Sequence, residues 1–467
     1  MVDNRYNRQE LIEGWKQESL DKARVVIVGA DQLANFTAVS LSALGVGNVE
    51  IYDASKISEN EQGFLLSGAK AGTSKAQGLE TILREINPGI KVKGMSMKLE
   101  NSPLISVLGK PNLIVDVTNS SASKQTVIKY GQAKGIPVMT AACDSVRGEI
   151  YLANPENQVN ATLPDYNSLP QGAVTSEIVA GLITEETRKV LMPMGTEKPI
   201  KSLAYSLATP RRFSKDLEEQ VSQSDLSGKK VLVIGAGALG NFATLGLTLA
   251  GVGNIDIIDY DDIESTNLNR QILFYNSVGK MKAEVLAERL KKIRPSVKVN
   301  GIVGKIDQNS GIVAENKYDL ILDCVDSFAV RASINYLAVR NNVPLVSGGT
   351  NPSSGQVVVY VPGKSACLDC TMHVEDALAK QMRAATCRYA PDPSVIMTNE
   401  IIGGMMVGEA LKVLDAGYGT PVSRILKYDS KAGARGGLVG AADPCHCVKP
   451  EPAEWVEQVK AKYKEEK

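Results

Sequence analysis

The chain lacks a surplus of charge of either sign, because 52 Lys and Arg stand against 52 Asp and Glu in 467 residues. It is also poor in aromatics, with 2 Trp, 6 Phe and 15 Tyr. A nucleic-acid binder normally carries a basic surplus, usually with stacking rings, so nucleic acid is not expected as a partner. Disorder is excluded as well, since 43% of the residues are hydrophobic and no block of like charge interrupts them. The opening MVDNRYNRQE has no apolar segment of the kind a secretory signal requires. The seven cysteines are therefore expected in a reducing, cytoplasmic setting without disulfides. Residues 231–255 carry no charge and are long enough to span a bilayer. Their six glycines and two asparagines fit a strand, a turn and a helix better, and no membrane partner is expected. At roughly 100–200 residues per domain, the length predicts two to four domains, each able to bury a core.

What the chain does have is a copy of itself. RVVIVGADQLANFTAVSLSALGVGNVEIYD, from Arg24 to Asp53, matches KVLVIGAGALGNFATLGLTLAGVGNIDIID, from Lys230 to Asp259, at an offset of 206. LIVDVTNS matches LILDCVDS, with Asp116 opposite Asp323 and Asn119 opposite Asp326. SEIVAGLITEETRKVL matches NEIIGGMMVGEALKVL, with Glu177 opposite Glu400 at an offset of 223, so the second copy has gained about 16 residues. Each copy opens on a short β-branched run, then a helical stretch, then a second apolar run. That order is βαβ and requires a parallel sheet covered by helices. Repeats this long are not solenoid units. The fold class is α/β: two homologous Rossmann-like domains packed as a pseudo-dimer within one chain. The expected boundaries are 1–205, a polar linker with a helical middle at 206–228, 229–450, and a C-terminal helix or tail at 451–467. In that tail Trp455, Val459 and Tyr463 share one helical face, as in a helix docked on its own domain.

Gly235, Gly237 and Gly240 form G-x-G-x-x-G between a strand and a helix, and Asp259 ends the next strand. The glycines admit phosphates to a helix N-terminus, and the carboxylate can accept from a ribose hydroxyl. Alone, the pattern fits an NAD-dependent oxidoreductase. The next segment, with Asn267, Arg270, Gln271 and Lys282, points to a triphosphate instead, because phosphoryl chemistry needs cations to neutralise developing charge. Asp326, beyond the strand LILDCVD, sits where a magnesium ion could be held.

The glycine loop, Asp259, NLNRQ, Lys282, Asp326 and the later CLDC and ATC stretches together resemble the adenylating family that activates ubiquitin and ubiquitin-like proteins. That family includes the adenylyltransferases of the molybdopterin and thiamine sulfur carriers. The resemblance implies ATP contacts for Asn267, Arg270, Gln271 and Lys282, a ribose contact for Asp259, and magnesium on Asp326. The opening RYNRQ is a family feature too, and its second arginine, Arg8, would reach across the pseudo-dimer to the phosphates. The first copy departs from this pattern. Asp31 and Ala34 replace two glycines, EQGFL (61–65) stands in place of NLNRQ, and Asn119 replaces the metal carboxylate, although Asp53 and Lys75 remain. One active adenylation domain is therefore expected, in the second copy, with the first as scaffold and donor of Arg8.

Cys367 and Cys370 form C-x-x-C, and Cys445 and Cys447 form C-x-C. Two chelating thiolate pairs predict a structural zinc ion, with His446 as a substitute ligand. Cys324 and Cys143 read as small core residues. Cys387 lies in RAATCRYAPDPS with Arg383 and Arg388 nearby, and cations lower a thiol's pKa. Its position matches the family's catalytic cysteine. The resemblance thus implies two steps: adenylation of a C-terminal Gly-Gly carboxylate of a ubiquitin-like protein, then thioester formation on Cys387. It admits a conjugating enzyme as the thioester's acceptor, or a sulfur-carrier route ending in a thiocarboxylate. The 16 residues between Cys370 and Cys387 leave no room for a large catalytic-cysteine domain, and the 20 after Cys447 none for a ubiquitin-fold domain.

Overall fold

A computed structural model describes residues 4–59, 63–100, 103–154, 169–222, 224–382, 392–431, 435–439 and 443–462. The β-branched runs become the central strands of two sheets. In the first half these are β1 (Arg24–Val28), β2 (Asn48–Tyr52), β3 (Lys91–Met95), β4 (Leu113–Asp116), β5 (Val138–Cys143), β6 (Arg147–Ala153) and β7 (Ser202–Ser206). The second half has β8 (Lys230–Ile234), β9 (Asn254–Asp259), β10 (Lys298–Val303), β11 (Leu320–Asp323), β12 (Leu345–Thr350), β13 (Ser354–Tyr360), β14 (Ile425–Asp429) and β15 (Arg435–Val439). The sheet orders are β3-β2-β1-β4-β5-β6-β7 and β10-β9-β8-β11-β12-β13-β14-β15. The first five strands of each order are parallel and the rest antiparallel. The order reverses between β1 and β4 and between β8 and β11, the switch point where such sheets bind ligands.

The helices that position the site are α1 (Gln32–Leu44), α2 (Lys75–Ile86), α3 (Ser121–Lys134) and α4 (Ala173–Leu191) in the first half. The second half supplies α5 (Ala238–Ala250), α6 (Lys282–Ile293), α7 (Phe328–Arg340), α8 (Val374–Gln381), α9 (Ile396–Leu414) and α10 (Pro452–Lys462). Residues 231–255, uncharged throughout, run as β8, turn, α5 and the start of β9. Among the described residues no helix is long and apolar enough to cross a membrane.

Both faces of α1, α4, α5 and α9 are buried, because these four helices form the layer between the sheets. Glycines let α4 and α9 approach closely. A Cβ at Gly181 would meet Ile401 Cγ1 at 2.6 Å, and one at Gly404 would meet Ile178 Cγ1 at 2.6 Å. Gly181 and Gly404 are equivalent in the repeat, as are Ile178 and Ile401, so the contact is reciprocal, as a two-fold interface requires. One hydrophobic core runs through both halves, from Val25 and Ile27 to Val231 and Val233.

The stretch 206–228 differs from its expected helical middle. Its described residues contain no helix. Glu218 and Glu219 both give their N–H to the carbonyl of Ala208, which prevents the i to i−4 pattern. Nearby, Arg212 is fully buried and its Nε meets Glu409 Oε1 of α9 at 2.6 Å. Helix-forming composition yields here to the backbone contacts with Ala208.

Candidate functional site

The second-half glycine loop follows β8, and each glycine is required for a different reason. Gly235 has φ +98°, and a Cβ there would lie 2.9 Å from the carbonyl of Cys324. A Cβ at Gly240 would lie 2.0 Å from the carbonyl of Gly235, so the helix could not seat against the strand. A Cβ at Gly237 would meet nothing within 4 Å. Gly237 therefore faces open space at the N-terminus of α5, where among the described residues no N-cap side chain takes the helix amides. Free amides and the positive end of the helix dipole suit an anion.

Asp259 closes this loop against β9. Its Oδ2 accepts from Ala236 N at 2.6 Å and its Oδ1 from Asp261 N at 2.8 Å. Burial raises its pKa, against which those two hydrogen bonds work. Lys282, the first residue of α6, is buried and pairs with Asp261 at 2.9 Å. A short 3-10 turn, Ser265–Asn267, then delivers Arg270. Asn267 accepts from Glu264 N at 3.0 Å as half of a reciprocal capping box. This amide thus builds the turn itself. Gln271 is buried, and its Oε1 has no hydrogen-bond partner among the described residues.

Arg270 is 7% exposed and donates through Nη1 to Thr266 O at 2.8 Å and Asn269 Oδ1 at 2.7 Å. Burial, and then the charge of Arg8, lower its pKa to about 10, while Glu264 and Asp326 work the other way. Arg8 belongs to the first half, and its Nη1 reaches the carbonyl of Asp392 at 3.3 Å. Asp326 is exposed, three residues past the end of β11. Arg8, Arg270, Glu264 and Asp326 thus share one electrostatic neighbourhood, and Asp259, Asp261 and Lys282 share another.

The equivalent positions in the first half are filled from within. Asp31 Oδ1 pairs with Lys75 at 2.7 Å. Gln171 Oε1 accepts from Leu33 N at 2.8 Å, at the start of α1. Asn119 donates to the carbonyls of Cys143 at 2.9 Å and Leu169 at 3.2 Å. Phe64, at the station of Arg270, is buried against Phe36 with ring centroids 4.7 Å apart. Glu61 and Gln62 lie outside the described residues.

The four cysteines Cys367, Cys370, Cys445 and Cys447 come together, with all four Sγ within 4.8 Å of one another. The Cys370–Cys447 separation is 3.4 Å and the Cys367–Cys447 separation 4.0 Å. Tetrahedral zinc with Zn–S near 2.3 Å places its sulfurs about 3.8 Å apart, so this donor set fits that ion. His446 is not part of the cluster. Burial pushes the Cys143 thiol up to about 11 and Cys324 higher, which suits core residues and not nucleophiles. Cys387, with Arg383 and Arg388, lies outside the described residues.

One residue of the site went unread in the sequence. Asn269 is completely buried and holds Arg270 on one side and Gln9 of the first half on the other. Its only local signal is its place inside NLNRQ.

Comparison with known proteins agrees with the repeat. The model of the ThiF family matches residues 6–212 and again 210–441. The molybdopterin-synthase adenylyltransferase of Escherichia coli is 34% identical over 215 residues, covering 44% of this chain and 82% of that enzyme. The adenylyltransferase and sulfurtransferase UBA4 of Yarrowia lipolytica is 38% identical over 148 residues, covering 32% of this chain and 37% of its own length. SUMO-activating enzyme subunit 2 of Dictyostelium discoideum is 30% identical over 203 residues, covering 43% of this chain and 30% of its own. The chain thus spans most of the bacterial enzyme and well under half of the two eukaryotic proteins. A solved structure of E. coli MccB with AMPCPP and MccA aligns over 48% of this chain and 67% of that one, at 26% identity and a TM-score of 0.40. With a family match in each half, together reaching from residue 6 to residue 441, the chain belongs to the ThiF family.

Proposed function

We propose that the chain uses ATP to adenylate the C-terminal carboxylate of a ubiquitin-like protein and then holds the acyl group as a thioester on Cys387. The observation that carries the first step is the pair of arginines. Arg270 is buried and loses basicity through burial and the nearby charge of Arg8. Two guanidinium groups from opposite halves whose charges act on one another suit an anion of high charge. A triphosphate supplies that charge. Gly235, Gly237 and Gly240 would admit the phosphates, Asp259 would take the ribose, and Asn267, Arg270, Gln271, Lys282 and Arg8 would surround the nucleotide. Asp326 would hold a magnesium ion, which neutralises charge on the phosphates when bound.

In the first step a carboxylate oxygen of the partner attacks the α-phosphorus and pyrophosphate leaves. In the second, the Cys387 thiolate attacks the acyl carbon and AMP leaves. A Gly-Gly tail suits the approach, since a strand without side chains passes a narrow channel. The relatives support a small protein as substrate: they are named for molybdopterin synthase, SUMO and, in a further E. coli enzyme 31% identical over 212 residues, the sulfur carrier ThiS. The bacterial names also favour a second ending, in which a sulfide-level sulfur from a separate donor attacks the acyl carbon, AMP leaves and a thiocarboxylate forms, and Cys387 passes nothing to a conjugating enzyme. The cysteine cluster would hold zinc as a structural ion.

The test is ATP–pyrophosphate exchange with a Gly-Gly-tailed small protein from the same cell. Exchange should require that protein and fall at least about 100-fold in Arg270→Ala. Cys387→Ala should retain exchange and lose the thiol-sensitive adduct. Exchange that proceeds without any protein substrate, or an adduct that survives Cys387→Ala, would overturn the reading.

A further inference from the structure

The arginines of the proposed nucleotide site come from two halves, and a buried pair of amides ties them together. Asn269 Nδ2 donates to Gln9 Oε1 at 2.9 Å and to the carbonyl of Ser394 at 3.4 Å, while its Oδ1 accepts from Arg270 at 2.7 Å. Gln9 is also completely buried, and its Nε2 donates to Leu44 O at 2.9 Å and Gln17 Oε1 at 2.7 Å. Ser394 N in turn donates to the carbonyl of Arg8 at 3.1 Å. Gln9, Asn269, Ser394 and Arg8 thus form a closed circuit that joins the end of α1, the Arg270 turn and the approach to α9.

The circuit fixes the direction of both amides. Turning Asn269 over would set its NH2 against the guanidinium of Arg270, and turning Gln9 over would set two NH2 groups against each other. Neither residue is placed to reach a nucleotide, because each has its polar atoms committed to protein. Together they join the side chain of Arg270 to the backbone that carries Arg8, so the spacing of the two cations would be set before an anion binds. The first half provides an internal comparison. The stations of Asn269 and Arg270 are there Gly63 and Phe64, so the amide and the cation it orients are lost together.

We propose that Gln9 and Asn269 are positioning residues that preorganise Arg8 and Arg270 for the triphosphate. This inference rests on the nucleotide reading given above. It is tested by titration calorimetry of the full chain with MgATP and, separately, with AMP. Gln9→Met keeps the volume and removes the hydrogen bonds. It should weaken ATP about tenfold and AMP by less than about twofold. When Arg8→Ala is already present, Gln9→Met should cost less than about threefold more, since the cation it orients is gone. Asn269→Ser breaks the circuit from the other half and should show the same preference for damaging ATP binding. Equal weakening of ATP and AMP, or an undiminished tenfold loss in the Arg8→Ala background, would assign both residues a purely structural role. A wild-type chain that binds no ATP would instead remove the nucleotide reading itself, and the positioning role with it.

Discussion

Glu177 on α4 and Glu400 on α9 occupy equivalent places in the two copies and are completely buried in the layer between the sheets. Glu400 accepts from Ser40 at 2.8 Å, whereas neither oxygen of Glu177 has a partner among the described residues. The difference follows from one substitution within the repeat: the station of Ser40 is Gly246 in the second copy, and a Cβ there would lie 2.8 Å from Glu177 Oε2. Burial raises the pKa of both carboxyls well above 4.5, and the charge of Glu400 raises Glu177 further. The folded chain therefore keeps protons that the unfolded chain releases. Their contribution is complete below a pH of about 4.5 and is lost as pH rises toward the folded value. A tenfold difference in proton affinity between the folded and unfolded chain corresponds to about 1.4 kcal/mol. Glu177→Gln stays neutral throughout, so its stability relative to wild type should grow by about 1 to 3 kcal/mol between pH 5 and pH 8. Urea unfolding at several pH values reads this directly, and parallel curves for the two proteins would refute it.

At the scale of elements, the C-terminal helix and the cysteine cluster act as one unit. Trp455 of α10 is buried against Tyr336 of α7, with ring centroids 4.5 Å apart, and its Nε1 donates to Glu375 of α8 at 2.8 Å. Lys449 pairs with the same carboxylate, and Pro450 O accepts from Tyr336 and Arg340. The chain reaches this dock directly from Cys445 and Cys447, so loss of the metal should loosen the helix. In a Trp15→Phe background, chelating the zinc-loaded protein should red-shift the Trp455 emission, and Cys370→Ser should show the shift without chelator. An unchanged spectrum in both would separate the helix from the cluster. This helix was legible in the sequence because Trp455 and Val459 repeat at helical spacing, while Tyr463 lies outside the described residues, just as the βαβ units were legible from period and glycine placement. The linker was not, since DLEEQ has the composition of a helix and only the carbonyl of Ala208, which takes the N–H groups of Glu218 and Glu219, shows why none forms. Nor was Asn269, whose chief partner, Gln9, lies 260 residues away.

At the scale of the whole molecule, the two halves share one interface and one plan, yet their corresponding positions are furnished differently. A site lost by a single substitution could be restored by reversing it. The first-half site has been closed at least four times over. Asp31 neutralises Lys75, Gln171 takes the amide at the start of α1, Asn119 is committed to two carbonyls, and Phe64 lies in the core. The second-half site is open at the corresponding α5 N-terminus and receives a cation from the first. The chain should therefore bind one ATP, not two. Calorimetry should give a stoichiometry of about one per chain for wild type and, because the other closures persist, for Asp31→Gly as well. Arg270→Ala should weaken that single site without revealing a second. A stoichiometry near two in either protein would mean that the first half is a working partner and not a scaffold.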